Sequence, residues 1–180
     1  MNSIKEMTFK VCIFGDKFVG KTTLGKRYLT NEFIKDLKMT MGAEIHVKFL
    51  KIENIRIVLQ IWDFAGEDTF RFFLPLYAQG SDGGIFMFDT TNHDSLMHID
   101  DWISVFRSGL EEDEKHIPIM MVGGKHDLIE KRACLKEEAR ELAKSHNLLD
   151  FIECSSKTGY NVELVFDTLT RVIMREKKLL

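Results

Sequence analysis

The octapeptide Gly15-Asp16-Lys17-Phe18-Val19-Gly20-Lys21-Thr22 constrains the fold of this chain more than any other segment. It fits the pattern G-x-x-x-x-G-K-[ST], and its flanks suit the setting in which that pattern works. The apolar run Val11-Cys12-Ile13-Phe14 before it reads as a buried strand; Leu24, Tyr28 and Leu29 after it fall at helical spacing. Strand, glycine loop and helix in that order make a cradle for phosphate. The glycines let the backbone wrap around phosphate oxygens, and the N–H groups and the positive helix end face the charge. Lys21 is placed to reach the outer phosphates and Thr22 to offer its hydroxyl to Mg2+. The competing reading is an ordinary glycine-rich turn, which the flanking context disfavours. The expected ligand is a nucleoside triphosphate.

The rest of the composition limits where such a ligand can sit. At 180 residues and 20.9 kDa the chain suits a single domain, residues 1–180, with a substantial core. Its net charge of −3 gives no global attraction to nucleic acid or to an acidic membrane, so a polyanion needs a local site. Cys12, Cys134 and Cys154 are widely spaced, and Cys12 and Cys154 lie in apolar runs, which suits small core residues in a reducing cytoplasm. The six histidines show no metal-ligand spacing with them. No apolar stretch approaches the ~18 residues of a membrane span, and Met1 to Thr8 lacks the apolar stretch of a secretory signal.

Further along, short apolar runs alternate with longer helical patterns, as in a mainly parallel sheet covered on both faces. The runs start at Val11, Ile85, Ile117 and Phe151. Ile45, Val47 and Phe49 alternate with His46 and Lys48, and Ile55, Ile57, Leu59 and Ile61 with Arg56 and Gln60. A strand pair turning at Glu53-Asn54 accounts for both, with one antiparallel edge strand. Val162, Val165, Phe166, Leu169 and Ile173 form a helical stripe behind an expected Asn161 cap. Leu135, Ala139, Leu142 and His146 mark another helix with a charged outer face, and Glu111 to Glu114 read as a loop.

Four segments downstream gain meaning from their order. Trp62-Asp63-Phe64-Ala65-Gly66 ends the second alternating strand, where Asp63 can hold the Mg2+ shell and the Gly66 N–H can approach a terminal phosphate. Thr40 lies in the polar stretch before the sheet edge, with a hydroxyl for the same shell. Gly124-Lys125-His126-Asp127 follows a buried run; a carboxylate there accepts the two N–H donors that guanine presents and adenine does not. Ser155-Ser156-Lys157 follows the last strand, with backbone N–H groups for the guanine carbonyl.

With these motifs in order over residues 9–175, the chain resembles a small GTPase of the Ras superfamily, nearest to the Rab and Ras branches. Leu59-Gln60-Ile61-Trp62-Asp63, Phe88-Asp89-Thr90-Thr91-Asn92 and Trp102 give it a Rab-like cast. The resemblance implies an α/β fold: a P-loop NTPase G domain with a six-stranded, mostly parallel sheet and helices on both faces. It implies GTP/GDP and Mg2+ as ligands, and two switches near residues 34–44 and 65–78. It assigns nucleotide contact to Gly15 through Thr22, Thr23, Phe33, Thr40, Gly66, Lys125, Asp127, Ser155, Ser156 and Lys157, with Phe33 against the guanine ring. Thr22, Thr40 and Asp63 would serve the metal; Lys21, Thr40, Gly66 and Glu67 would serve hydrolysis.

Three departures from the family pattern bear on mechanism. Glu67 stands where the family has a water-orienting Gln. An ionised carboxylate cannot donate toward phosphate, and two unit charges ~5 Å apart at an effective dielectric of ~20 repel by roughly 3 kcal/mol. Lys17 replaces a Gly or Ser that faces the approach of an activating protein's arginine, and Phe18 beside it replaces a Gly. Lys17 and Glu67 either form an ion pair across the site or lie apart in solvent. Gly124 replaces the Asn that normally ties the base loop to the phosphate loop, which predicts guanine preference with weaker affinity.

Three activities compete: a GTP-hydrolysing switch, a GTP-dependent binding module that barely hydrolyses, and a P-loop ATPase or nucleotide kinase, the last disfavoured by Asp127. Effector, exchange-factor and activating proteins are the partners the family implies. Phe70, Phe72, Phe73 and Tyr77 are either their contacts or part of a helix packed on the sheet. The chain as given ends Lys177-Lys178-Leu179-Leu180 without the cysteine that prenylation needs, so no lipid anchor is expected on it. The expected location is cytoplasmic, or peripheral at a membrane if a native tail is trimmed.

Overall fold

The computed structural model describes residues 5–114 and 116–180, so part of the Met1–Thr8 reading, residues 1–4, lies outside the described residues. Its strands are Lys5–Phe14 (β1), Ala43–Ile52 (β2), Ile55–Phe64 (β3), Gly83–Asp89 (β4), Ile119–Gly124 (β5) and Asp150–Glu153 (β6). They form one sheet in the order β2-β3-β1-β4-β5-β6. Only β2 is antiparallel to its neighbour, pairing with β3 down to Ile52 opposite Ile55. The two-residue turn falls at Glu53-Asn54 as expected, with Glu53 at a positive φ of 52°. The other pairings are parallel.

The helices are Lys21–Thr30 (α1), Asp68–Arg71 (α2), Leu74–Ala78 (α3), His93–Met97 (α4), Ile99–Ser108 (α5), Lys136–Ser145 (α6) and Val162–Glu176 (α7). Alternation along the strands divides the core in two. Val11, Ile13, Ile57, Leu59 and Val122 meet Leu24 and Tyr28 of α1 and Val165, Phe166 and Leu169 of α7. The rings of Tyr28 and Phe166 stack there at 3.9 Å. On the opposite face Phe14, Phe64, Phe86, Phe88 and Met121 meet Leu74 and Ala78 of α3, Trp102 and Phe106 of α5, and Ala139 of α6. Central strands covered on both faces need both sets of alternate side chains apolar, which is why β4 and β5 read as continuous hydrophobic runs. β1 lies between β3 and β4, where the strand order reverses, and such switch points at the carboxyl ends of strands are where α/β sheets hold ligands.

Three local features differ from the sequence reading. The apolar residues of β2 face outward: Ile45, Val47 and Phe49 are 51%, 46% and 71% exposed. Glu44, His46, Lys48 and Leu50 occupy the covered face instead, with Lys48 Nζ 3.6 Å from the centre of the Tyr28 ring. Leu135 precedes α6 as its N-cap and is exposed rather than part of the buried stripe. Asn161 does precede α7, but at a left-handed φ of 57° its side chain makes no cap. Its amide donates instead to the Glu153 carbonyl at 2.9 Å.

Candidate nucleotide site

At the end of β1 the chain turns through Gly15, at φ 142°, and enters α1 through Gly20, at φ 106°. A Cβ on Gly15 would fall 2.1 Å from the Met87 carbonyl oxygen of β4, so only glycine lets the loop lie this close to the sheet. Phe18 also takes a left-handed φ, 64°, with its ring 67% exposed. For a bulky residue that backbone carries strain of about 1–2 kcal/mol.

Lys21 curls back over the loop, its ammonium donating to the carbonyls of Gly15 at 2.8 Å and Asp16 at 2.6 Å. Burial lowers its pKa to about 8, against the opposing pull of Asp63 and Asp16. Gly66 lies directly over this point: a Cβ on it would come 2.3 Å from the Lys17 amide nitrogen and 2.4 Å from Lys21 Nζ. The absent side chain is what brings the segment after β3 onto the phosphate loop.

Three oxygen donors converge beside Lys21. The hydroxyls of Thr22 and Thr40 are 2.9 Å apart, and both donate to Asp63 Oδ2, the Thr40 contact at 3.4 Å. Asp63 is fully buried at the end of β3, and burial pushes its carboxyl above the ordinary range, with Thr22 and Lys21 pulling it down. A buried carboxylate with two hydroxyls beside a phosphate-type lysine suits a hard cation such as Mg2+, which takes oxygen ligands and keeps several waters.

At the opposite end Asp127 accepts a hydrogen bond from Ser155 Oγ at 2.6 Å. That bond engages one carboxylate oxygen and fixes the orientation of the group. Lys125, at φ 62°, pairs with Asp89 Oδ2 at 2.5 Å. Thr90 holds the Gly124 carbonyl through Oγ1 at 2.8 Å and its backbone N–H at 3.1 Å. A cleft of about 410 Å³ joins the two ends. It is lined by Lys17, Phe18, Val19, Gly20, Lys21, Thr22, Thr23, Phe33, Thr40, Gly66, Glu67, Lys125, Asp127, Ser156 and Lys157 among the residues singled out from sequence.

Gly15, Asp16, Asp63 and Ser155 do not line it. Gly15 and Asp63 lie beneath the lining as described. The Asp16 carboxylate turns away to Trp102 Nε1 and His98 Nδ1, both at 2.7 Å, leaving only its backbone to the loop. Ser155 spends its backbone N–H on the Tyr160 carbonyl, so it positions Asp127 rather than meeting a base. Lys17 and Glu67 both line the cleft, yet no ion pair joins them; Lys17 is exposed and Glu67 caps α2 with its backbone carbonyl.

Sequence reasoning missed Met87, which lines the cleft from inside β4. A Cβ on Gly124 would lie 2.6 Å from Met87 Cε and 3.0 Å from the Val19 carbonyl oxygen. Met87 therefore occupies the space an Asn at position 124 would use. Its only sequence signal is membership of the buried run Ile85 to Phe88, which marks it as core and nothing more.

A family model described as the Ras family matches residues 10–175. The chain is 38% identical to the Ras-related protein RABA4d of Arabidopsis thaliana over 170 residues, 94% of this chain and 75% of that one. It is 32% identical to the Ras-related protein Rab-7a of Paramecium octaurelia over 179 residues, 99% of this chain and 87% of that one. With the GTP-binding protein ypt3 of Schizosaccharomyces pombe it shares 36% identity over 167 residues, 93% and 76% of the respective chains. This chain belongs to the Ras family, and is a Rab-like small GTP-binding protein with the mixed six-stranded sheet of a G domain.

Proposed function

We propose that the chain works as one G domain that alternates between GDP and GTP states, hydrolyses GTP slowly with Mg2+, and engages effectors through its switch segments. The observation that carries this reading is the convergence of Lys21, Thr22, Thr40 and Asp63 at one end of a cleft whose other end holds Asp127. The phosphates fit at the α1 N-terminus, where backbone N–H groups and the helix dipole favour anions. When bound, Mg2+ would neutralise phosphate charge from Thr22, Thr40 and, through its shell, Asp63. Lys21 exchanges its two carbonyl partners for phosphate oxygens, and the irregular segment that carries Thr40 follows the γ-phosphate. Asp127, fixed by Ser155, selects guanine over adenine.

The outward face of β2 and the exposed side chains of the α2–α3 segment supply the docking surface in this reading. Ile45, Val47, Phe49, Phe72, Phe73 and Leu76 are all exposed, and exposed apolar side chains in such numbers suit partner contacts. Exchange factors and activating proteins are expected to act on the same switch segments.

Glu67 and Lys17 favour a second reading, a GTP-holding module. Glu67 cannot donate to phosphate when ionised, and an exposed Lys17 obstructs an incoming arginine. Single-turnover conversion of loaded GTP with Mg2+ separates the two. Steady GDP formation over hours, accelerated in Glu67→Gln, supports the switch; intact GTP in wild type and conversion only in the variant supports the holding module. Equal affinity for ADP and GDP would overturn both.

A further inference from the structure

The antiparallel register of β2 and β3 sets Glu44 directly opposite Asp63. His46, two residues further along β2, shares the face of Glu44, because side chains on a strand repeat every second residue. One ligand atom from each of these three residues falls within 4.8 Å of the others. Two carboxylates opposite each other on a sheet repel, and one of these is buried away from water.

The hydrogen bonding leaves this cluster incomplete. Asp63 turns Oδ2 to Thr22 and Thr40, while its Oδ1, in a side chain with 0% exposure, has no hydrogen-bond partner. His46 Nε2 is likewise buried without a hydrogen-bond partner, 3.8 Å from Glu44 Oε1. α1 covers the group: a Cβ on Gly25 would lie 3.8 Å from the His46 ring, and Lys26 Nζ is 3.7 Å from Glu44 Oε1. Lys26 approaches the same Glu44 oxygen that faces His46, and it gives neither Asp63 Oδ1 nor His46 Nε2 a hydrogen-bond partner.

We propose that Glu44, His46 and Asp63 form a second cation site, for a divalent ion of the zinc class, on the side of Asp63 away from the Thr22 and Thr40 hydroxyls. One imidazole with two carboxylates is a donor set suited to Zn2+ or Co2+, with remaining positions filled by water. Mg2+ prefers oxygen donors alone and gives up water reluctantly, so the imidazole discriminates against it. Asp63 would bridge the two environments, one oxygen to each. The ion would thereby hold the carboxylate that the nucleotide-side hydroxyls use, linking zinc-class ions to nucleotide retention. The site itself is built from β2 and β3 and does not depend on the nucleotide reading.

The test is Zn2+ titration of the full chain, GDP-loaded in excess Mg2+, followed through the side-chain nitrogens of the histidines by 15N NMR. One equivalent of Zn2+ is expected to shift His46 Nε2 into the metal-bound range while the GDP phosphorus signals stay in place. His46→Gln and, independently, Glu44→Gln should each weaken Zn2+ binding by at least the ~10–100-fold seen when lesser supports of a metal site are removed. His93, His98, His126 and His146 each sit beside a carboxylate outside this cluster and serve as internal controls. A His46 ring that stays unshifted at saturating Zn2+, or unchanged affinity in folded His46→Gln, overturns the proposal. Movement of the phosphorus signals alone also overturns it, because the ion has then replaced Mg2+ at the nucleotide. If either variant fails to fold, the wild-type ring shift decides.

Discussion

Replacing Gly124 with the Asn usual in the family should damage this protein, and the structure says by how much. The new Cβ would sit 2.6 Å from Met87 Cε and 3.0 Å from the Val19 carbonyl oxygen. Met87 is 1% exposed within the α1/α7 core, so its thioether must find a new rotamer inside packed surroundings, and the Val19 backbone cannot retreat far. Overpacking of this kind costs about 1–3 kcal/mol. For a domain of this size that corresponds to a melting temperature lower by roughly 2–12 °C. Met87→Ala alone empties the same space and costs about 2–5 kcal/mol. The two together should cost less than their sum, because the Asn amide fills what the methionine leaves; contacting residues couple by ~0.5–3 kcal/mol. Urea unfolding of all four proteins at one fixed GDP and Mg2+ concentration gives the cycle, and release of a fluorescent GDP analogue reads the site directly. Release should slow in the double variant relative to Met87→Ala, since the amide can tie the base loop to Val19. Additivity within ~0.3–0.5 kcal/mol would refute the claim that Met87 stands in for the missing side chain.

Phe18→Gly should raise stability by about 0.5–1 kcal/mol, because relief of a left-handed bulky residue exceeds the added chain entropy of glycine; a lower unfolding midpoint would contradict this. Arg71 lies 4.4 Å from the Trp102 ring centre and reaches Asp68 at 2.9 Å, Asp101 at 3.5 Å and Asp16 at 3.8 Å. Arg71→Ala should therefore cost about 1–2 kcal/mol and speed hydrogen exchange across residues 68–78 above the rest, whereas a uniform change would argue against a local latch. The thiols give a pH dependence: burial pushes Cys12 and Cys154 up to about 12 and Cys134 to about 11, while unfolded thiols ionise near ~8.5. Their contribution is intact below pH ~8.5 and is lost as pH rises through 11–12, so unfolding midpoints should fall over that window and a Cys154→Ala variant should lose part of the slope.

The fold was legible where two faces of a strand do the same thing. β4 and β5 are covered on both sides, so Ile85 to Phe88 and Met120 to Val122 had to be apolar throughout, and they read as buried strands without ambiguity. β2 shows where the signal inverts. As an edge strand it has one covered face, and that face carries Glu44, His46 and Lys48 under α1 and α7. The alternation was visible, but its sense depends on which helix lies over which face, and no local pattern encodes that. Leu135 misled for a similar reason: helical spacing extends the stripe by one position past the point where α6 begins. Asn161 has the right residue type and place for a cap, yet its left-handed backbone sends the amide to Glu153.

The site was legible in its identities more than in its division of labour. Backbone-driven features came through, because Gly15 and Gly66 sit where a Cβ would strike backbone, a constraint visible as residue type alone. Side-chain roles did not, because they depend on partners distant in sequence. Asp16 looks like a phosphate-loop ligand until Trp102, 86 residues away, takes its carboxylate. Ser155 looks like a backbone contact to the base until the Tyr160 carbonyl takes its N–H and Asp127, 28 residues away, takes its hydroxyl. Opposite charges at Lys17 and Glu67 suggested a pair, but complementary charge carries no geometry, and exposed side chains gain under ~1 kcal/mol from pairing. Gly124 and Met87 are the reverse case. Packing is short-ranged and steep, so a 2.6 Å approach makes one residue's absence the other's room. A departure inside the packed base loop therefore comes with a physical counterpart across the core, whereas one on the exposed lip of the cleft need have none.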